Sequence, residues 1–233
     1  MKAYRLTTDG TLTTLLLVLA GCGGGGGGEA PVAPITSFAL QAGLRAKILS
    51  GSSDNFAISG TCSGTSTVTV SGASASTFEG IAGYSSVQTQ RINYTNCTPA
   101  SSAVTGTNYY DINYATLGSS VLGLEYSKVQ SVPPPLPTTV KVGDTALYAT
   151  LNVYTDATKT TITGQRQLSY VVESDSATTA FITLISKGYN NSSQLLFTQQ
   201  SKYRIAGDGT LTIVAIDIQY STTSTAHLVF TKT

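Results

Sequence analysis

"LLFTQQSKYRIAGDGTLTIVAIDIQY" occupies residues 195 to 220. Two arms rich in β-branched and aromatic residues flank Gly207-Asp208-Gly209. Such residues fit a pleated, half-buried surface. Gly207-Asp208-Gly209 marks a tight turn. The stretch predicts a β-hairpin, with one arm at Leu195 to Ile205 and the other at Leu211 to Tyr220. It sets the expectation for the residues around it.

Working outward, the same pattern continues in both directions. Leu147, Ala149, Leu151 and Val153 share one parity, as do Leu168, Tyr170 and Val172. Ala180, Ile182 and Leu184 follow, and Asn190-Asn191 marks a turn. Ala226, Leu228 and Phe230 end the chain. About six strands joined by short polar turns predict an antiparallel meander over 140–233. Parallel pairing would need crossovers of a dozen residues or more, for which there is no room.

The first half is less regular. Phe38, Leu40, Ala42, Leu44, Ala46 and Ile48 alternate, although Leu40, Leu44 and Ile48 also suit a helical face. Their neighbours favour a strand: Phe56, Ile58, Gly60 and Cys62 alternate next, then Val68 and Val70. Further strands are expected at about 87–94, through Tyr109, Tyr110 and Tyr114, and at about 124–130. No amphipathic helix is expected beyond the N-terminal leader.

"SVPPPLPTT" (131–139) interrupts the pattern, because prolines cannot donate to a β-ladder and favour an extended chain. The resulting expectation is an all-β protein of antiparallel sheets in two β-domains. A sandwich-like, disulfide-bearing part spans 38–131. A linker at 132–139 separates it from the meander at 140–233. The alternative is one continuous β-sandwich or open barrel.

Charge is sparse across the 233 residues, with 13 Lys and Arg against 12 Asp and Glu. A neutral surface exerts no pull on nucleic acid, which is not an expected partner.

"LLLVLAGCGGGGGG" (15–28) decides the expected location. Lys2 and Arg5 make a basic start, and Leu12 to Ala20 forms a short apolar run. A membrane span needs about 20 apolar residues, so this run fits a signal-peptide core instead. Leu19-Ala20-Gly21-Cys22 resembles the lipobox of bacterial lipoproteins. That resemblance implies a signal peptide at 1–21, cleaved before Cys22, and acyl chains on Cys22 that make the membrane a partner. Gly23, where Asp marks inner-membrane retention in enterobacterial lipoproteins, implies the outer membrane. Gly23, Gly25 and Gly28 formally match a nucleotide fingerprint, but no strand precedes them and a proline-rich segment follows. Residues 22–37 read instead as a flexible tether, with a root-mean-square span of roughly 20 Å and a full reach of about 50 Å.

Two cysteines remain. An even pair in an exported chain favours a Cys62–Cys97 disulfide over two free thiols or a metal site. No metal and no cofactor is expected, since neither cysteine has His or Cys neighbours that would complete a zinc set.

Candidates for chemistry are few. His227, the single histidine, sits on the parity opposite Leu228 and Phe230. It is expected to face solvent or to pair across strands. Glu173 and Asp175 straddle a turn, while Asp54 and Asp208 read as turn residues. No nucleophile elbow or metalloprotease motif occurs. Tyr109, Tyr110, Asp111, Asn113 and Tyr114 form the one cluster suited to stacking on a ligand and hydrogen-bonding it; half-buried sheet tyrosines are the competing explanation. The expected function is a non-enzymatic, membrane-anchored envelope module that holds an envelope protein or glycan. A glycan- or lipid-binding module is the alternative, recognisable by exposed tyrosines or by a meander closed around an apolar cavity. An envelope-polymer hydrolase is the third reading.

Overall fold

The computed structural model describes residues 34–221 and 226–233. The expected signal peptide, Cys22 and the expected tether as far as residue 33 lie outside the described residues. Alternation of apolar and polar residues yields thirteen strands, all paired antiparallel. They are β1 (Ser52–Gly60), β2 (Gly64–Val70), β3 (Ser74–Phe78), β4 (Ile81–Tyr94), β5 (Ser101–Asp111), β6 (Thr116–Val121) and β7 (Glu125–Val129). After the prolines come β8 (Thr145–Tyr154), β9 (Ile162–Ser174), β10 (Thr179–Asn190), β11 (Leu195–Ala206), β12 (Leu211–Tyr220) and β13 (His227–Lys232).

These strands close into one barrel. Neighbours along the chain pair as a meander except β2 and β3, and β1 pairs with β13, with Ile58 opposite Phe230. The circle is completed by β2 on β4, with Val70 opposite Gln88. Twelve strands form the wall, and β3 is the extra one, paired only with β4. Closure removes the unpaired edges that an open sheet would expose.

The two-domain expectation is thereby corrected. Strands on either side of the prolines pair directly, Val129 of β7 lying opposite Leu151 of β8. The proline segment crosses one mouth of the barrel rather than linking two bodies. Pro133 is buried there. Val140 exchanges two backbone hydrogen bonds with Phe38, at 2.8 and 2.9 Å. Proline's lack of a donor excludes it from the ladder, but it is equally suited to covering a barrel end.

A second correction concerns the segment from Phe38 to Ile48. It forms a helix, α1 (Leu40–Ser50), that stops at Gly51, whose φ is +67°. Leu40, Leu44 and Ile48 all carry even numbers, so strand parity and the i, i+4 spacing of one helical face are indistinguishable over this span. Tertiary packing decides between them. Gly43 of α1 lies on the β11–β12 turn so closely that a Cβ there would stand 1.9 Å from the Gly209 carbonyl oxygen. Gly209 (φ +91°) thus both makes the predicted hairpin turn and receives the helix.

Inside and outside follow from the registers. Phe56, Ile58, Val68, Ile213, Leu228 and Phe230 form one buried cluster within the wall. A second, of Phe38, Leu40, Tyr170, Val172, Ile182 and Ile205 among others, lies beneath α1. The opposite face carries a polar row. Ser53, Thr69, Thr89 and Thr105 stand in register across four strands. Their hydroxyls pair at 3.4 Å (Ser53–Thr69) and 2.9 Å (Thr89–Thr105). Gln165, Gln167, Thr198, Gln200 and Arg204 continue that outer surface on β9 and β11.

The β3–β4 hairpin folds down over the outer wall. Phe78 stacks on Tyr109 at 4.2 Å and covers Gly118, where a Cβ would come within 2.7 Å of its ring. At its tip, Glu79 accepts hydrogen bonds from Lys159 (2.7 Å), Tyr126 (2.6 Å) and Lys128 (3.0 Å). Lys159 first, then the Tyr126 hydroxyl, hold the Glu79 carboxyl down at about 2, against an ordinary value of 4.5. A depressed carboxylate stabilises the fold above its unfolded value and loses that contribution as pH falls through its folded value. Glu79→Gln is therefore expected to cost about 1–2 kcal/mol at neutral pH, after allowance for solvent screening. Its stability difference from the wild type should shrink between about pH 4.5 and 2. Urea titrations across that window check this; a pH-independent difference would refute the assigned cause.

Cys62 and Cys97 form a disulfide with Cα atoms 5.7 Å apart. It joins the β1–β2 turn to the β4–β5 turn, at the mouth opposite α1. Ser63 and Thr95 add a hydroxyl pair at 2.9 Å, and the Ser63 amide donates to Asn96 Oδ1 at 2.7 Å.

Candidate functional site

Closing the meander leaves space within it. Under α1 lies a cavity of about 200 Å³. Leu40, Leu44 and Ile48 of the helix face it from above, and Leu184 and several tyrosines face it from the wall. Tyr110, Tyr148, Tyr170 and Tyr203 come from four different strands and face one space across the curved wall. Tyr148 occupies a bulge in β8, where the register against β9 shifts between Leu147 and Ala149. Its ring stacks on Tyr170 with centroids 6.5 Å apart. Lys47 of α1 stands 5.6 Å above the Tyr203 ring.

Burial sets the protonation of this lining. It pushes the hydroxyl of Tyr203 up to about 12 and raises those of Tyr148 and Tyr110. All three stay protonated at neutral pH, so they are both donors and acceptors. Ser86 Oγ is buried in the same lining and makes no hydrogen bond of good geometry, although Tyr110 lies near enough for it to moderate the rise in that hydroxyl. The arrangement suits an apolar or weakly polar guest, with hydroxyls available to fix its orientation.

Gln88 and Asn108 line this cavity and also a second compartment nearer the disulfide mouth, of about 320 Å³. The second compartment is polar. Arg166 of β9 donates to Glu125 of β7 at 2.8 Å within it. The Arg166 guanidinium lies 5.7 Å from the Phe197 ring. The Phe197 ring occupies the space that a side chain on the opposing Gly188 would take; a Cβ there would approach the ring to 2.3 Å. The Nε of Arg166 is buried and has no hydrogen-bond partner.

The predicted tyrosine cluster is divided by the wall. Tyr110 and Tyr114 line the cavity. Tyr114, at φ +64°, stacks on Tyr84 at 4.8 Å, with Arg45 of α1 5.5 Å from its ring. Tyr109 takes the opposite face and packs on Phe78. Asp111 is buried, and its Oδ1 accepts from the amides of Asn113 and Ala115, both at 2.8 Å. Asp111 therefore holds the β5–β6 turn, and Asn113 is exposed at its tip. Adjacent residues on a strand point to opposite faces, which is why Tyr109 and Tyr110 separate.

The other candidates have local partners. His227 Nε2 meets Asp217 Oδ2 at 2.9 Å, a cross-strand pair on the outer face, half exposed. Asp175 takes Arg204 at 2.7 Å. The Asp208 carboxylate accepts from the Thr210 amide at 2.8 Å within the GDG turn. Asp54, expected in a turn, lies within β1 and pairs with Lys232 of β13 at 2.8 Å. Among the described residues no group of three His, Cys, Asp or Glu side chains could hold a metal ion.

Sequence reasoning passed over the helix residues Leu40 and Leu44 and the pair Arg166–Glu125. The leucine spacing signalled the former. For the latter nothing local does, because 41 residues separate Arg166 from Glu125. No protein-family model matches this chain, and no curated protein or solved structure matches it.

Proposed function

We propose that the protein is a lipid-anchored bacterial envelope lipoprotein whose barrel is a non-enzymatic binding module for a small apolar molecule. The observation that carries this reading is the closed meander around a tyrosine- and leucine-lined cavity, capped by α1. Of the functions expected from the sequence, the lipid-binding alternative called for such a cavity.

Supporting features come from both faces of the wall. A barrel that spans a bilayer carries an outward apolar band. Here Thr, Ser, Gln and Lys recur among the outward positions, between apolar ones such as Val171, Phe181 and Ile185. The lipobox resemblance at Cys22 supplies the anchor, and the glycine tether lets the barrel stand off the outer membrane. The Cys62–Cys97 bridge suits an oxidising envelope compartment.

The test uses the uncharged dye N-phenyl-1-naphthylamine, which fluoresces on leaving water. The wild type is expected to bind it saturably. Leu184→Trp, which fills the cavity, should weaken binding about tenfold while circular dichroism keeps the barrel signature. Equal binding by both proteins, or none by the wild type, refutes a lumenal site. For the anchor, the wild type should carry acyl mass and Cys22→Ala should leave the membrane fraction; an unacylated Cys22 refutes it.

A further inference from the structure

Resting on the lumen-binding reading, we infer that the guest is a single-chain amphiphile with an uncharged, oxygen-bearing head, seated with its tail under α1 and its head at Arg166. The two compartments are of different character and adjoin at Gln88 and Asn108, which line both; the inferred guest extends across that boundary. The apolar one, at about 200 Å³, falls below the roughly 300–1,000 Å³ typical of sites for drug-sized ligands. It accepts one short acyl chain against Leu40, Leu44 and Leu184 and has no room for the two chains of a phospholipid.

The head is specified by what Arg166 lacks. Its charge is already offset by Glu125 at 2.8 Å. What remains is the Nε–H, buried and unpartnered. A buried donor without an acceptor is costly and rare in native structures. An ester carbonyl or a hydroxyl supplies the missing lone pair without bringing charge. A carboxylate would instead add a second negative group beside Glu125, and a cationic head would meet Arg166 itself. The amides of Gln88, Gln90 and Gln199 line the same compartment and complete a surface for neutral oxygen groups.

The experiment displaces the naphthylamine dye from the intact chain with three amphiphiles of one tail length: monodecanoylglycerol, decanoate and decyltrimethylammonium, at pH 8. The expected result is displacement by monodecanoylglycerol at about one-tenth the concentration the other two require. Arg166→Lys, which keeps the charge and removes the Nε–H, should bring the three within about twofold of each other. The double variant Glu125→Gln with Arg166→Gln, which leaves no unpaired charge, should do the same if the lysine variant fails to fold. Equal displacement by all three heads in the wild type, or strongest displacement by decanoate, overturns the head assignment while leaving the apolar cavity intact. Preference for monodecanoylglycerol that persists in the Arg166 variants also overturns it. Failure of the dye itself to bind removes the underlying reading as well.

Discussion

Removing the Cys62–Cys97 bridge by the paired substitution Cys62→Ala and Cys97→Ala is expected to lower the melting temperature by about 8–16 °C. The two cysteines stand 35 residues apart in sequence. Closing a loop of that length contributes about 4 kcal/mol in the chain-entropy model. For a domain of this size each kcal/mol moves the melting temperature by about 2–4 °C. The bridge also sits at a particular place. It clamps two turns that flank the β2–β4 seam, where the twelve-strand circle is completed. The Ser63–Thr95 pair and the Asn96 contact remain after its loss, so the barrel should still close at low temperature. Thermal melts of the variant beside the wild type measure the effect. A shift under about 2 °C would mean that the denatured chain is already constrained without the bridge.

Phe230→Ala should be comparably damaging, costing about 3–5 kcal/mol. The ring is 1% exposed and lies on β13 between Ile58 and Ile216. Truncation loses its transfer free energy and leaves a void that the paired strands cannot collapse to fill, because both flanking ladders fix their spacing. Its position adds a topological consequence. β13 is the strand on which the C-terminal end of the chain meets β1. Weakening it attacks the pairing with the longest sequence separation in the barrel, Phe56 opposite Lys232. Urea unfolding should show a lower midpoint. A loss below about 1 kcal/mol would show that the core beside this seam is loosely packed.

What the sequence by itself determined was the period-two alternation, the turns and the disulfide. The GDG turn, the strands from Val140 onward and the outward parity of His227 were all legible, because each depends on residues a few positions apart. The antiparallel connectivity was legible for the same reason: short polar turns permit little else. The Cys62–Cys97 pairing was legible once Cys22 was assigned to the anchor, because an even pair then remained in an exported chain.

Only the tertiary structure decided whether the meander closes. Closure depends on β1 reaching β13 and on β2 returning to β4, pairings whose partners carry no mark in the local pattern. It turned the expected domain linker into a cover for one mouth, since Val140 found Phe38 rather than solvent. It also chose helix over strand for Leu40 to Ser50, where the sequence allowed both: the paired wall left a mouth to be filled, and Gly43 and Gly209 let a helix lie close enough to fill it. The candidate site followed from that closure. Four tyrosines from four strands and an arginine 41 residues from its glutamate share one interior because a barrel wall curves, and curvature is a property of the whole sheet.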